Sequence, residues 1–153
     1  MNKKIFVDSD IILDLLAERE SFYDNAAKIF ALAYKKEIEL FTTAVVLANV
    51  FYILRKIRGN KEAKGLLRNL RLLVHVLSVS EKTVDMALNS QFGDFEDGLQ
   101  YFAAKENNLL TIITRNTVDY KVKDVIIQTP EEYIKMNRVL FLSTHQKREW
   151  FRF

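Results

Sequence analysis

Short apolar segments alternate with longer amphipathic segments along almost the whole of this chain. The short segments predict β-strands and the longer ones predict helices, because their apolar residues recur with the periods of those two structures. Several predicted strands are apolar throughout, which is typical of a parallel sheet covered by helices on both faces. We therefore predict an α/β fold with a mostly parallel sheet. The predicted strands are KKIFVDSD, IELFTT, VHVLSVS, LLTIITR and DVIIQT.

Residues that commonly cap helices stand at the start of several of the longer segments. A cap fixes where a helix begins, since its side-chain oxygen accepts a backbone N–H that the first turn leaves free. The predicted caps are Ser21 with Asp24, Thr42 or Thr43, Ser80, and Thr129 with Pro130 and Glu132, while Gly59 is the predicted end of the third helix.

Composition limits both the domain organisation and the chemistry. With 153 residues, of which 49% are hydrophobic, the chain has room for one globular domain with a substantial core. We predict a domain over residues 1–137 and a C-terminal tail over 138–153. The absence of Cys and the presence of two His exclude the usual zinc ligand sets and leave oxygen-ligated hard cations. No apolar run is long enough to span a membrane, so we expect a soluble cytoplasmic protein with no membrane partner.

Acidic and amide side chains follow the first and fourth predicted strands and begin one predicted helix. A parallel sheet brings the carboxyl ends of its strands to one edge, so these side chains should converge. Crowded carboxylates raise one another's pKa, and a cation such as Mg²⁺ relieves that repulsion. Each residue taken singly also fits an ordinary turn or helix cap. The residues are Asp8 and Asp10, Asp94 and Asp97, and Asn116 and Asp119.

Asn49 is the only polar residue in the apolar segment AVVLANVFYIL. A buried amide needs a hydrogen-bond partner. Asn49 is therefore either a satisfied core amide or a group that completes the acidic cluster, and the sequence leaves both interpretations open.

The segment from Arg55 to Arg71 is basic, with Glu62 as its single acid. Such a run is typical of a surface that contacts phosphates, and equally of the solvated face of a helix pair. Its basic residues are Arg55, Lys56, Arg58, Lys61, Lys64, Arg68 and Arg71.

Three motifs, FVDSDIILDLL, DFEDGLQYFAAKEN and ITRNTVDY, resemble in order and spacing those of PIN domains, in particular VapC-type toxins. The resemblance covers about Lys4 to Met136. Two positions differ from the usual pattern, since Asn49 stands where the family usually has Glu and Asp10 where it usually has Asn. The resemblance implies active-site acids Asp8, Asp94, Asp97 and Asp119, of which Asp8, Asp94 and Asp97 hold the metal, and supporting residues Ser9, Asp10, Asn49, Thr114 and Asn116.

The same resemblance implies a PIN-like three-layer α/β/α sandwich that hydrolyses RNA phosphodiester bonds with Mg²⁺ or Mn²⁺. It further implies the toxin component of a toxin–antitoxin pair, with an antitoxin protein and a second copy of the chain as partners. It favours RNA binding by the basic run, through Arg55, Lys56, Arg58 and Lys61.

Two alternatives compete with this interpretation. The segments VDSDI and GDFED resemble the acidic motifs of haloacid-dehalogenase-like phosphatases, in which Asp8 would be the nucleophile and Asp10 the acid/base. The second alternative is a catalytically degenerate PIN domain that binds RNA or protein without cleavage, which Asn49 favours. A phosphomonoester assay tests the first, and RNA cleavage with and without EDTA tests the second.

Overall fold

The computed structural model describes residues 3–137, and the predicted tail over 138–153 lies outside the described residues. Strands and helices alternate as the sequence predicts. The strands are β1 Lys3–Val7, β2 Ile38–Thr43, β3 Val74–Leu77, β4 Thr111–Ile113 and β5 Ile126–Gln128. The helices are α1 Ser9–Leu16, α2 Tyr23–Tyr34, α3 Ala44–Arg58, α4 Asn60–Leu70, α5 Glu81–Leu88, α6 Phe95–Glu106 and α7 Pro130–Met136, with a 3-10 turn at Thr117–Asp119.

The strands form one sheet in the order β3-β2-β1-β4-β5, and every pair is parallel. The chain builds from β1 through β2 to β3 and then crosses back, so that β4 lies on the other side of β1. Val7 on β1 is in register with Ile113 on β4. Parallel α/β sheets bind ligands beyond the carboxyl ends of the strands at such a reversal of strand order.

A continuous apolar core fixes the positions of the strand ends. Phe6 of β1 and Ile112 of β4 are fully buried, as are Phe30 of α2 and Leu54 of α3. Helices contact one another as well as the sheet, with α1 against α2 and α3, and α5 against α6. The α/β class, the mostly parallel sheet and the three-layer α/β/α sandwich are therefore confirmed.

Most of the predicted caps are present. The side chain of Thr43 accepts a hydrogen bond from the backbone N–H of Val46, and capping boxes begin α5 at Ser80 and α7 at Thr129. Gly59, with φ of 81°, follows the last residue of α3, as predicted.

The predicted capping box of Ser21 with Asp24 is wrong. The structure places Phe22 at the N-cap of α2, without a side-chain hydrogen bond. Ser21 has a left-handed φ of 72°, and the carbonyl of Arg19 accepts from Phe22 and Tyr23, so the preceding turn sets the start of the helix.

Within the part of the chain that the structure describes, every helix is too short or too polar to cross a bilayer.

Candidate functional site

Asp8 lies at the carboxyl end of β1 and bridges the two strands at the reversal of strand order. Its Oδ1 accepts a hydrogen bond of 2.6 Å from the backbone N–H of Ser9, and its Oδ2 accepts one of 2.8 Å from the hydroxyl of Thr114. The same hydroxyl accepts from the backbone N–H of Asn116 at 3.0 Å. Asp8 is 6% exposed, so neutral donors hold this carboxylate in a nearly buried position beside β4.

The next two acids of the segment hold the loop after β4. The backbone N–H of Arg115 donates to Asp10 Oδ2 at 3.0 Å. The Arg115 guanidinium contacts both oxygens of Asp14, at 3.1 Å and 2.9 Å, and stacks on the ring of Phe22. Burial raises the pKa of Asp14 despite this ion pair, because the carboxyl is almost fully desolvated. These contacts fix Thr114 and Asn116 relative to Asp8.

The carboxyl of Asp10 is half-buried, and it lies close enough to Asp8 for the two charges to interact. Burial, followed by the charge of Asp8, raises the pKa of Asp10 from 3.8 to about 6. Its Oδ1 is buried and accepts no hydrogen bond from the residues that the structure describes. Asp10 therefore supports the loop through one oxygen and leaves the other unsatisfied.

Asp94 and Asp97, at the start of α6, lie within electrostatic range of Asp8. Asp94 is the N-cap of the helix, and its Oδ1 accepts from the backbone N–H of Asp97 at 3.0 Å. Asp97 is buried, and burial together with the charges of Asp8 and Asp94 raises its pKa from 3.8 to about 7. The three acids thus lie close enough to repel one another, as the sequence predicts for convergent strand and helix ends.

Asp119 and Asn116 complete the loop after β4. The amide of Asn116 donates to Asp119 Oδ2 at 2.5 Å, and the charge of Asp119 also acts on Asp97. Asp119 is exposed, whereas Asp8 and Asp97 are buried. Asp119 therefore stands at the solvent side of the cluster.

Asn49 pairs with Glu96, a residue that the sequence motifs do not indicate. The Asn49 amide donates to Glu96 Oε2 at 2.6 Å, and the Gln100 amide donates to Glu96 Oε1 at 3.3 Å. Burial raises the pKa of Glu96, and the charges of Asp8 and Asp94 add to this effect. Asn49 is thus a half-buried amide that faces the acidic cluster.

Tyr120 connects the Glu96 side of the cluster to Asp97. Its hydroxyl lies 3.3 Å from both Asp97 Oδ1 and Gln100 Oε1, and with one proton it donates to one of them at a time. Burial and the charges of Asp8 and Asp97 raise the pKa of Tyr120 above its ordinary value, so the phenol stays protonated and available as a donor.

Five of the residues at the site are absent from the sequence-based prediction. Gln100 and Asp14 each give the signal that drew attention to Asn49, a polar residue within an otherwise apolar stretch. The other three lie in polar segments of the sequence, so their residue types do not distinguish them from ordinary surface or loop residues. The five residues are Asp14, Glu96, Gln100, Arg115 and Tyr120.

The predicted RNA-binding residues lie on the last turn of α3 and the start of α4, and all are exposed. Tyr52, 52% exposed, has Lys56 4.1 Å and Arg55 4.9 Å from the centre of its ring. Arg58 forms an ion pair with Glu62 at 3.8 Å. Since Asn49 and Lys56 are seven residues apart on α3, the helix places the basic side chains about two turns from the acidic cluster.

The donor set fits a hard divalent cation. Among residues 3–137, no three Asp, Glu or His side chains are close enough to ligate one ion together. Mg²⁺ usually takes one or two carboxylates and keeps several waters, so it does not need three. The raised pKa of Asp97, beside Asp8 and Asp94, marks a concentration of negative charge that a cation neutralises.

Residues 4–118 match the family model of the PIN domain, which is well over half of the chain. The chain belongs to the PIN domain family. Ribonuclease VapC1 of Aquifex aeolicus (strain VF5) is 26% identical to this PIN domain protein over 140 residues, covering 86% of the chain and 94% of the relative.

Solved structures share the fold of this PIN domain. The crystal structure of Mycobacterium tuberculosis VapC20, a toxin that cleaves the sarcin-ricin loop, superposes with a TM-score of 0.57 at 18% identity, covering 71% of this chain and 86% of that one. A toxin–antitoxin complex from Klebsiella pneumoniae gives a TM-score of 0.61 at 18% identity, covering 82% and 97%. At 18% identity, the similarity to these two structures establishes the fold alone.

The alternative prediction of a haloacid-dehalogenase-like phosphatase is wrong, because the chain is a PIN domain. The second acidic motif of the phosphatases follows a strand. Here Asp94 begins α6, and the preceding element is the helix α5.

Proposed function

We propose that this PIN domain is a Mg²⁺-dependent endoribonuclease and the toxin component of a toxin–antitoxin pair. The observation that carries the proposal is the convergence of Asp8 and Asp97, two nearly buried carboxylates from separate elements, at the reversal of strand order. No basic side chain of the described residues forms an ion pair with either carboxylate. Such uncompensated charge is the property of a site built for a cation.

In this proposal Asp8 and Asp97 hold the cation, and Asp94 adds negative charge at the start of α6. Ser9 and Thr114 hold the Asp8 carboxylate by the hydrogen bonds described above. Mg²⁺ or Mn²⁺, when bound, lowers the pKa of water and stabilises negative charge on a phosphodiester. We further propose that the substrate approaches the cluster from solvent beside Asp119, which is exposed and accepts a hydrogen bond from Asn116.

Asp10 has a supporting role in this proposal. One of its oxygens fixes the backbone of Arg115, and that contact keeps the loop after β4 against β1. The loop in turn supplies the hydroxyl of Thr114 to Asp8. Asp10 therefore positions the metal-binding carboxylate through Thr114.

We propose that RNA reaches the site along α3. Arg55, Lys56, Arg58 and Lys61 provide positive charge at one end of this path, and Tyr52 provides an exposed ring on which a base can stack. Cationic side chains beside an exposed aromatic ring are typical of surfaces that bind single-stranded nucleic acid. The acidic cluster occupies the other end of the path, next to Asn49.

The toxin role is supported by the relatives, whose names describe a ribonuclease, a cleaving toxin and a toxin–antitoxin complex. In this proposal the partners of the protein are RNA, an antitoxin and a second copy of the chain. Expression of the chain alone should arrest bacterial growth, and Asp8→Asn should abolish the arrest. Growth at the uninduced rate during expression of the unaltered chain would contradict the toxin role.

A cleavage assay tests the nuclease itself. The purified protein is incubated with end-labelled single-stranded and structured RNA in Mg²⁺, in EDTA, and in EDTA followed by excess Mn²⁺. We expect defined cleavage products in Mg²⁺, none in EDTA, and recovery in Mn²⁺. RNA binding that persists in EDTA without any cleavage in Mg²⁺ would instead establish the degenerate PIN domain.

A further inference from the structure

Glu96 lies at the acidic cluster, although the proposed function described above gives it no role. Two amides hold its carboxylate, that of Asn49 from α3 and that of Gln100 one turn farther along α6. Both donors are neutral, so they orient the carboxylate without cancelling its charge. None of the Lys or Arg side chains among residues 3–137 forms an ion pair with Glu96.

The orientation of Glu96 is locked from both sides. The contact with Asn49 joins residues 47 positions apart, at 2.6 Å, so it depends on the packing of α3 near the start of α6. On the other side, Gln100 is 1% exposed and its carbonyl lies within hydrogen-bond distance of Tyr120. The hydroxyl of Tyr120 also lies within hydrogen-bond distance of Asp97. A chain of polar contacts therefore connects Glu96 to Asp97, a proposed metal ligand.

Glu96 is half-buried. A carboxylate that is partly desolvated, oriented by neutral donors and without a counter-ion is stabilised when a cation comes close to it. Glu96 lies near enough to Asp8 and Asp94 for their charges to act on it. Direct ligation by three carboxylates does not fit the distances among the described residues, but Mg²⁺ keeps most of its waters and charged groups act on it across them.

We propose that Glu96 is a carboxylate of the divalent-cation site, acting across the water shell of the ion, and that Asn49 is its positioning residue. The proposal rests on the proposed function, because it needs the cation that Asp8 and Asp97 hold. In this proposal Asn49 orients Glu96 by donating an amide hydrogen to its carboxylate. An ionised carboxylate at position 49 has no hydrogen to donate. The negative charge of the site on this side therefore comes from α6, and α3 supplies its orientation.

The test moves the charge between the two helices while keeping the hydrogen-bonded pair. Glu96→Gln removes the charge and leaves two amides that still hydrogen-bond to each other. Asn49→Glu combined with Glu96→Gln restores a carboxylate and an amide donor in reversed positions. Mn²⁺ alone is the probe, with affinity measured by titration calorimetry and by the rise in Tm on addition of the ion.

We expect Glu96→Gln to weaken Mn²⁺ binding by about 10- to 100-fold, the usual effect of losing a group around the direct ligands. The double variant should recover most of that loss, because the hydrogen-bonded pair again carries one negative charge, now on the α3 side. Asn49→Leu should weaken binding by a smaller factor, since Glu96 keeps its charge and loses its orientation. Equal Mn²⁺ affinity in Glu96→Gln and the unaltered protein would overturn the proposal.

Glu106→Gln is the matched control. Glu106 lies on the same helix and accepts a side-chain hydrogen bond from Thr83, but it is ten residues from Glu96, about 15 Å along the axis. Its substitution should leave Mn²⁺ affinity unchanged, and an equal loss there would show a general charge effect and reject the role of Glu96.

Failure of the two proposals gives different results. If the unaltered protein binds no Mn²⁺ and cleaves no RNA, the metal-dependent nuclease fails and Glu96 loses its role with it. If the unaltered protein binds Mn²⁺ and Glu96→Gln binds it equally well, only the assignment of Glu96 and Asn49 fails.

Discussion

At the scale of single residues, the acidic side chains of the site are of two kinds. Some hold the loop after β4 in place, and others carry a negative charge that no basic side chain of the described residues balances. Asp14 is neutralised by Arg115, and Asp10 uses one oxygen to hold the backbone of the same residue. Among residues 3–137, the groups that donate hydrogen bonds to Asp8 and Asp97 are all neutral. The difference follows from solvation, because a buried carboxylate with an arginine is satisfied and one without a cation is not.

Asp8→Asn and Asp97→Asn should each abolish RNA cleavage without loss of folding. An amide at either position keeps the size of the side chain and can still hydrogen-bond to Thr114 or Tyr120, but it removes the charge that the cation needs. Gel-based assays measure RNA cleavage by the variants, and circular dichroism checks that they are folded. The control Asp85→Asn, on the exposed surface of α5, should cleave normally. Undiminished cleavage by either site variant would reject the assignment.

Arg115→Met should destabilise the protein by about 3 kcal/mol, because it leaves Asp14, which is 1% exposed, with Arg19 at 3.6 Å as its remaining partner. Urea unfolding measures the effect. The double variant Arg115→Met with Asp14→Leu should recover most of the loss, since an apolar side chain suits the interior of α1. A single variant as stable as the unaltered protein would show that the ion pair is not needed.

At the scale of elements, α3 carries different groups at its two ends. Its first half carries Asn49 to the acidic cluster, and its last turn carries Arg55, Lys56 and Arg58 into solvent. Gly59 ends the helix with a left-handed φ, and α4 begins at the next residue. The turn at Gly59 lets α4 pack back against α3, which a continuous helix would not do.

Replacing Arg55, Arg58 and Lys61 by Gln should weaken RNA binding for every sequence tested. Each phosphate contact releases counterions, so the slope of log affinity against log salt should fall by about 2 for three contacts to single-stranded RNA. Fluorescence anisotropy in an Asp8→Asn background, which prevents cleavage, measures both quantities.

The charge-matched control replaces three exposed lysines that lie outside α3 and α4, namely Lys36, Lys82 and Lys135. It should leave the slope closer to that of the starting protein. If the two triple variants behave alike, the basic run of α3 and α4 is only a solvated surface.

At the scale of the whole molecule, the site links folding stability to pH and to metal. Asp10 and Asp97 have pKa values of about 6 and about 7 in the folded protein, against an ordinary value of 3.8. The folded state therefore holds protons that the unfolded state has released. The stability associated with these protons is fully present below about pH 4 and is lost as the pH rises through 6 and 7.

In EDTA, the free energy of unfolding of the unaltered protein should fall relative to that of Asp97→Asn between about pH 5 and about pH 8, by on the order of 2 kcal/mol. Saturating Mg²⁺ should reverse the trend, because the cation binds the deprotonated carboxylates. Urea unfolding at both pH values, with and without Mg²⁺, gives the comparison. Parallel pH profiles of the two proteins in EDTA would contradict the raised pKa of Asp97.

The parallel α/β architecture, most of the helix caps and the approach of Asp8 and Asp97 to one edge of the sheet could be predicted from the sequence. Those features follow from local periodicity and from the rule that parallel strands end together. The contacts of Asn49 with Glu96 and of Asp14 with Arg115 join residues 47 and 101 positions apart, and they are known only from the folded structure. Such contacts depend on how one helix or loop packs against another, and the local sequence pattern does not predict that packing.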